Sequence, residues 1–370
     1  MRAEVEERAG ALIPPRTKEE ARTLAEAGPL VLELLPGPDG LTCEEAHGVA
    51  VTASLLGAEE EQGALAVLRR FREHPDLDVR RQLVGTWSRF DAREYAVEVL
   101  DHLKRGGLSL TCESAEQRAA VPLMRPWQRL RFDGPLTAAE LVGCVPGPAE
   151  VRHLDLRNNP GLGHLGELLA FPSLAGLWLQ RCPDAVGLSR LAELPLTDLV
   201  VFDRGADLTG LGAMRLLTQL SIDGSLPGAR LTDTLPADAP LLSLFLGINS
   251  ISTTGLRGLT RWPTLQSLTL GLSGRQHLSA EDWSEVAGLP ELTALSLYGQ
   301  HEAYTHDAMP ELPGILDLRF LADPPPPQAL RLLASRLPGL RTVGLAVGHI
   351  SAEFLEPYAE IFPTAEIIRI

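Results

Sequence analysis

From Trp127 to the end of the chain, one arrangement of apolar positions returns eleven times. Each copy has an apolar residue, two others, an apolar residue, one other, and an apolar residue. The copies are Trp127/Leu130/Phe132, Val151/Leu154/Leu156, Leu174/Leu177/Leu179, Leu196/Leu199/Val201, Leu217/Leu220/Ile222 and Leu241/Leu244/Leu246. They continue as Leu265/Leu268/Leu270, Leu292/Leu295/Leu297, Ile315/Leu318/Phe320, Leu340/Val343/Leu345 and Ala365/Ile368/Ile370. The starts lie 21 to 27 residues apart. Within a copy the fourth and sixth positions are apolar and the fifth usually is not, which predicts a short strand with one buried face. A single such strand cannot bury its face, so the copies must stack and cover one another.

This spacing resembles the leucine-rich repeat, in which each unit supplies one strand and one helical or 3₁₀ return. The resemblance implies an α/β fold, a leucine-rich repeat solenoid with a parallel inner sheet and short helical returns. Prolines punctuate it at Pro172, Pro195, Pro240, Pro263, Pro290, Pro313, Pro338 and Pro363, ending a return where a strand must begin. The family's Asn/Cys position is filled by Asn159, Cys182 and Asn249, which are expected to satisfy backbone groups at the turn. Ser225, Ser273 and Gln300 are substitutes there, whereas Arg204, Asp323 and Gly348 break the ladder. Leu165–Ala170, Leu188–Leu194, Ala280–Ala287, Gln328–Arg336 and Ala352–Ile361 carry helical apolar spacing and read as returns. The Pro324–Pro327 run reads as an extended lead-in.

The first third lacks the repeat. Thr17 with Glu20, Thr42 with Glu45 and, further on, Thr137 with Glu140 are capping-box pairs. Helical runs are expected from Ala58 to His74, from Asp76 to Phe90, and from Asp91 to the Gly106-Gly107 pair. Paired helices with short turns, and the string Asp78-Val79-Arg80, resemble HEAT-type repeats; a generic helical bundle is the other reading. The expected organisation is a helical, HEAT-like region over 1–107, a junction over 108–126 and the repeat domain over 127–370. The stretch His74–Leu103, followed by degenerate leucine-rich repeats, is similar to the C-terminal half of bacterial NACHT-type STAND NTPases, relatives of NOD-like receptors. That resemblance implies helical repeats followed by a ligand sensor. The chain departs from the family in having no G-x-x-x-x-G-K-[S/T], and neither Lys18 nor Lys104 follows a glycine. Without the phosphate-cradling loop, nothing in it supports NTP hydrolysis.

Charge narrows the picture. With 48 acidic against 33 basic residues the net charge is −15, which disfavours bulk binding to nucleic acid or anionic membranes. No N-terminal apolar segment and no long apolar span is present, so neither secretion nor insertion is indicated. The scattered cysteines, Cys43, Cys112, Cys144 and Cys182, do not form the end-capping pairs of secreted repeat proteins, and a reducing cytoplasm is expected. Arginine almost wholly replaces lysine, and Ala, Gly, Leu and Pro abound, which suggests a GC-rich bacterial source.

Candidate chemistry is sparse. No G-x-S-x-G, C-x-x-C or H-E-x-x-H occurs. His301, Glu302, His306 and Asp307 cluster after the Tyr298 strand, but their spacing matches no helix-face pair and reads as a solvated loop. Cys43, Glu44 and His47 share one helix and read as packing residues. No catalytic, cofactor or metal residue is therefore expected. The concave inner face carries the signal, because the second, third, fifth and seventh residues of each unit point there. Trp178, Phe202, Phe245 and Tyr298 occupy such places, either as partner anchors or as ring-to-ring packing along the sheet. Arg129, Arg131, Arg152, His153 and Arg157 share the face nearer the start of the array. They either receive an anionic partner group or pair with Asp133 and Asp155. The expected function is non-enzymatic recognition of a protein ligand on the concave face, as the sensing part of an NLR-like system. The alternative is an assembly scaffold for a separate NTPase or effector subunit.

Overall fold

A computed structural model describes residues 10–273, 278–299, 308–322, 327–346 and 352–370. The chain divides into two compact units, Met1–Asp155 and Leu156–Ile370.

The first unit opens with helices. α1 (Lys18–Glu26), α2 (Cys43–Leu56), α3 (Glu61–Arg70), α4 (Leu77–Gly85) and α5 (Ala92–Glu98) are followed by α6 (Ala115–Ala120) and α7 (Ala138–Cys144). The three capping boxes at Thr17/Glu20, Thr42/Glu45 and Thr137/Glu140 all form. Three helices are shorter than their apolar spacing predicts: a Glu60 cap starts α3 late, and 3₁₀ turns replace the ends of α4 and α5. Glu60 caps α3, Asp76 caps α4 before a 3₁₀ turn at Trp87–Arg89, and Asp91 caps α5 before another at Leu100–His102. Ala46, Val49, Ala50 and Ala53 are fully buried and make α2 a central helix of this unit. Two buried aromatic polar groups among these helices are satisfied: Trp87 Nε1 donates to the Ala92 carbonyl at 2.9 Å and Tyr95 Oη to the Leu83 carbonyl at 2.8 Å.

The helices lead into strands. β1 (Leu110–Cys112) pairs in parallel with β2 (Arg129–Asp133), Leu110 opposite Leu130 and Cys112 opposite Phe132. The segment 108–126, expected only to connect, thus contains β1 and α6. A latch ties Asp101 to the approach of β2. Its carboxylate accepts from Arg105 at 2.9 Å and from the Arg125 backbone N–H at 2.6 Å. Arg105 also donates to the Pro126 carbonyl and lies over the Trp127 ring, 4.9 Å from its centroid.

The second unit is the repeat array. After β3 (His153–Arg157) come β4 (Gly176–Gln180), β5 (Asp198–Phe202), β6 (Gln219–Asp223), β7 (Ser243–Leu246), α8 (Ile248–Thr254), β8 (Ser267–Leu272) and α9 (Ala280–Ala287). β9 (Ala294–Gly299), β10 (Asp317–Phe320), α10 (Pro327–Arg336), β11 (Thr342–Leu345), α11 (Ala352–Ile361) and β12 (Glu366–Arg369) complete it. The strands follow chain order in one twelve-stranded sheet. From β4 to β12 every neighbouring pair is parallel, with Leu177, Leu199, Leu220, Leu244, Leu268, Leu295, Leu318 and Val343 in one register row. All eight are at most 1% exposed. The array is a leucine-rich repeat fold.

Three expectations need correction. The returns at Leu165–Ala170 and Leu188–Glu193 are 3₁₀, which fits two 3₁₀ turns into a segment too short for a stable α-helix. In the β7 unit the turn is satisfied by Ser250, one residue beyond Asn249. Ser250 Oγ is fully buried and donates to the Gly224 carbonyl at 2.8 Å, because α8 starts directly after the strand and turns Asn249 aside. The last repeat is displaced by one residue: Val343 stands opposite Ile367 and Leu345 opposite Arg369. A one-residue slip moves side chains to the other face. Ile368 and Ile370 therefore leave the buried row, and Ile370 is 41% exposed.

Candidate protein-recognition surface

The rows that alternate with the buried leucines form the solvent side of the sheet. In the second unit these are the third, fifth and seventh positions of each repeat. Trp178 on β4 is 37% exposed and Tyr298 on β9 is 46% exposed, whereas Phe202 on β5 and Phe245 on β7 are half-buried.

Phe202 and Phe245 meet. Their ring centroids are 5.2 Å apart and the planes are tilted by 54°, an edge-inclined geometry that aromatic quadrupoles favour. Phe202 stands opposite Asp223, and Phe245 opposite Ser221, so both flank β6. The small Ser221 side chain leaves room for the rings to meet over that strand. The two rings thus form one apolar platform by packing on each other. Trp178 is fixed differently: its indole Nε1 donates to Asp198 Oδ2 on β5 at 3.1 Å. That bond satisfies the one polar atom of the ring and leaves the side chain partly exposed. In register beside Trp178 lies Val200, which is 7% exposed.

The two carboxylates of this region have neutral partners. Asp198 accepts from Trp178, and Asp223 Oδ1 accepts from the Asn249 backbone N–H at 3.1 Å and from its Nδ2 at 2.9 Å. Sequence reading missed both aspartates. The available signal was an acidic residue on the solvent row one strand away from each aromatic.

The arginines fall apart into separate roles. In the first unit, Arg131 Nε donates to Asp155 Oδ2 at 2.7 Å, with Asp155 the more buried partner, so this side chain follows the pairing alternative. Arg129 and Arg152 are exposed there, and His153 is half-buried. The backbone N–H of Arg152 donates to the Gln128 carbonyl at 2.8 Å. Arg157, half-buried, belongs to the second unit and has interactions of its own.

Other candidates resolve simply. Cys43, Glu44 and His47 line a shallow cleft of about 530 Å³ with Lys18, Asp76, Asp78, Arg81 and Gln82. A hydrogen bond with Asp76, then burial, raises the Cys43 thiol above its ordinary value, which keeps it protonated and poorly nucleophilic. Burial lowers His47, with Lys18 adding to the effect. Among the described residues no group of three or more His, Cys, Asp or Glu side chains is placed to hold a metal ion. His301, Glu302, His306 and Asp307, like Gln300, Asp323 and Gly348, lie outside the described residues. No helix of the described residues is long and apolar enough to cross a membrane.

No protein-family model matches the chain, and no curated protein matches it. Solved structures do resemble it. TLR13 in complex with ssRNA13 aligns at 16% identity over 76% of this chain and 44% of that one, with a TM-score of 0.39. The chain therefore spans less than half the length of TLR13. A protein from Bacteroides fragilis aligns at 15% identity over 65% of this chain and 74% of its own, with a TM-score of 0.37. A leucine-rich repeat protein of Leptospira interrogans aligns at 15% identity over 73% and 90%, with a TM-score of 0.25.

Proposed function

We propose that this chain is a non-enzymatic recognition module that binds a protein ligand across the solvent side of its parallel sheet. The observation that carries this is the aromatic row of Trp178, Phe202, Phe245 and Tyr298, with Trp178 and Tyr298 left substantially exposed. Large rings held on rigid strands lose little entropy when a partner covers them, and such rings dominate interface energetics. Arg157, in the same unit as the rings, is a flanking polar and steering contact in this reading. The similarity of His74–Leu103 to NACHT-type STAND proteins supports a more specific placement, as the ligand-sensing part of a cytoplasmic bacterial NLR-like system. The NTPase module would then be supplied elsewhere, since this chain has no phosphate-cradling loop.

The test is affinity capture from source cells under phage challenge or other stress, using the wild type and a Trp178→Ala/Phe245→Ala variant. One protein should be enriched by the wild type and lost by the variant, with the thermal unfolding midpoint little changed. Unchanged capture by the folded variant rejects the surface. Loss of folding with binding intact per folded molecule makes the rings packing residues.

A further inference from the structure

The solvent rows of β4 to β9 contain aromatic, hydroxyl, amide and carboxylate side chains but no lysine or arginine. Their third, fifth and seventh positions run Gly176, Trp178 and Gln180; Asp198, Val200 and Phe202; Gln219, Ser221 and Asp223; Ser243, Phe245 and Gly247; Ser267, Thr269 and Gly271; and Ala294, Ser296 and Tyr298. Arg181 and Arg204 lie beyond the ends of β4 and β5, in the loops, where Arg181 donates to Asn158 Oδ1. The formal charge of this part of the face comes from Asp198 and Asp223, both half-buried and both bonded only to neutral groups. Each carboxylate is next to a ring: Asp198 at the edge of Trp178, and Asp223 opposite Phe202 on the strand between Phe202 and Phe245.

From this juxtaposition we propose that the occupant of the β4–β9 face is an extended polypeptide segment bearing arginine or lysine. Guanidinium and ammonium groups gain twice here, from the face of a ring and from an adjacent uncompensated carboxylate. The alkyl stem of such a side chain covers the Phe202/Phe245 platform while its head reaches the carboxylate. A nucleic-acid strand also stacks on aromatic rings, but it needs a cationic groove to follow its phosphates, and this face offers two negative charges instead. The net charge of −15 over the whole chain acts in the same direction, drawing a cationic partner in and repelling a polyanion. This proposal rests on the recognition reading above and specifies its ligand chemistry.

Trp178 itself reports the test. It is 37% exposed, whereas Trp87, Trp127, Trp262 and Trp283 are at most 2% exposed, so a ligand on this face perturbs the emission of one tryptophan. The full chain is titrated with a synthetic peptide alternating Arg and Ser, with the same peptide carrying Glu in place of Arg, and with an oligouridine of equal length. The Arg peptide should saturate the Trp178 signal and weaken with added salt, while the Glu peptide and the oligouridine should not bind. Asp198→Asn/Asp223→Asn keeps an oxygen to accept from Trp178 and from Asn249, removes only the charge, and should weaken the Arg peptide about tenfold or more. Glu59→Gln/Glu73→Gln changes the net charge equally on exposed sites of the other unit and should leave binding unchanged. The proposal is overturned by any of four results: no binding of the Arg peptide, equal binding of the Arg and Glu peptides, the same loss in both neutralised variants, or oligouridine bound at Trp178. The failures are separable. If Asp198→Asn/Asp223→Asn captures the cellular partner as well as the wild type while Trp178→Ala/Phe245→Ala does not, recognition stands and the cationic ligand falls. If the ring variant captures normally, the recognition surface itself is wrong.

Discussion

The two units of this chain start their helices in different ways. From α1 to α7, each helix begins on a side chain that accepts a backbone N–H: Thr17, Thr42, Glu60, Asp76, Asp91, Ser114 and Thr137. In the repeat unit many returns are 3₁₀ and start on a glycine at positive φ with no side-chain cap, as at Gly187, Gly210 and Gly258. There the free backbone groups are met by the neighbouring repeat. Leu165 N–H donates to the Val186 carbonyl at 3.0 Å, and Glu285 accepts from the N–H groups of Gly258 and Thr260 at 3.0 and 3.1 Å. The helical unit therefore writes its helix starts locally, whereas the glycine-started 3₁₀ returns of the array settle theirs by stacking; α9, with its Ser279/Asp282 capping box, keeps the local device inside the array.

Disrupting the stack tests that contrast most severely. Leu220 is buried in β6 between two strands, and Leu220→Ala should cost about 3 kcal/mol by denaturant titration. The unfolding transition of the array should move while that of the helical unit stays in place. A cost below about 1 kcal/mol would mean that stacking is not what holds the array. Next in size is the effect of Trp178→Ala on partner binding, about 2 kcal/mol or more by calorimetry if the ring is an anchor. Its effect on stability should stay within about 0.5 kcal/mol, as for other exposed positions.

Helix starts give a matched pair of smaller effects. Thr42→Ala removes the capping box of α2 and should cost about 1 kcal/mol. The counterpart in the array is Gly210→Ala, where φ is +89° and an added Cβ would lie 2.4 Å from Ser189 Cβ. It should cost at least about 1 kcal/mol, since a left-handed backbone and a close neighbour both oppose the methyl group. If Thr42→Ala is silent and Gly210→Ala is tolerated, the distinction between local and stacked ends is lost.

The Asp101 latch makes a pH prediction. Burial pushes this carboxyl up, but the Arg125 backbone N–H, the Arg105 hydrogen bond and the charges of both arginines hold it below the usual carboxylate range. A lowered folded value means that the unfolded chain takes up the proton first as the pH falls. The stabilisation is complete above the unfolded value of about 3.9 and disappears as the pH drops through the lower folded value. Asp101→Asn should therefore be less stable than the wild type by about 1 kcal/mol at neutral pH, with the gap closing in acid. The smallest effect is expected at Arg131, whose pair with Asp155 is partly exposed. Arg131→Ala should cost about 0.5 kcal/mol, less at high salt.

Strand positions were legible because a leucine every second residue, repeated at one period, has few other solutions. β1 was hidden because Cys112 stands where a strand leucine is expected and Gly107 where the leading apolar residue is expected. Periodicity also misplaced the last repeat. Ile367, Ile368 and Ile370 offer two apolar alternations, and only pairing with β11 chose the one that sets Ile367 opposite Val343 and leaves Ile370 outside. On the candidate surface the sequence placed all four rings on the solvent rows but could not say what each touches.

What the sequence by itself determined is therefore the repeating core, the capped helix starts and the rows on which the aromatics stand, because these depend on residue type and short-range spacing. Only the tertiary structure decided which side chains meet. Phe202 and Phe245 occupy different positions of their repeats and two different strands, yet they touch across β6 because Ser221 leaves room. Trp178 meets Asp198, and Arg131 meets Asp155, one strand apart. Such contacts depend on register and on side-chain volume between strands more than twenty residues apart, and no local pattern encodes either.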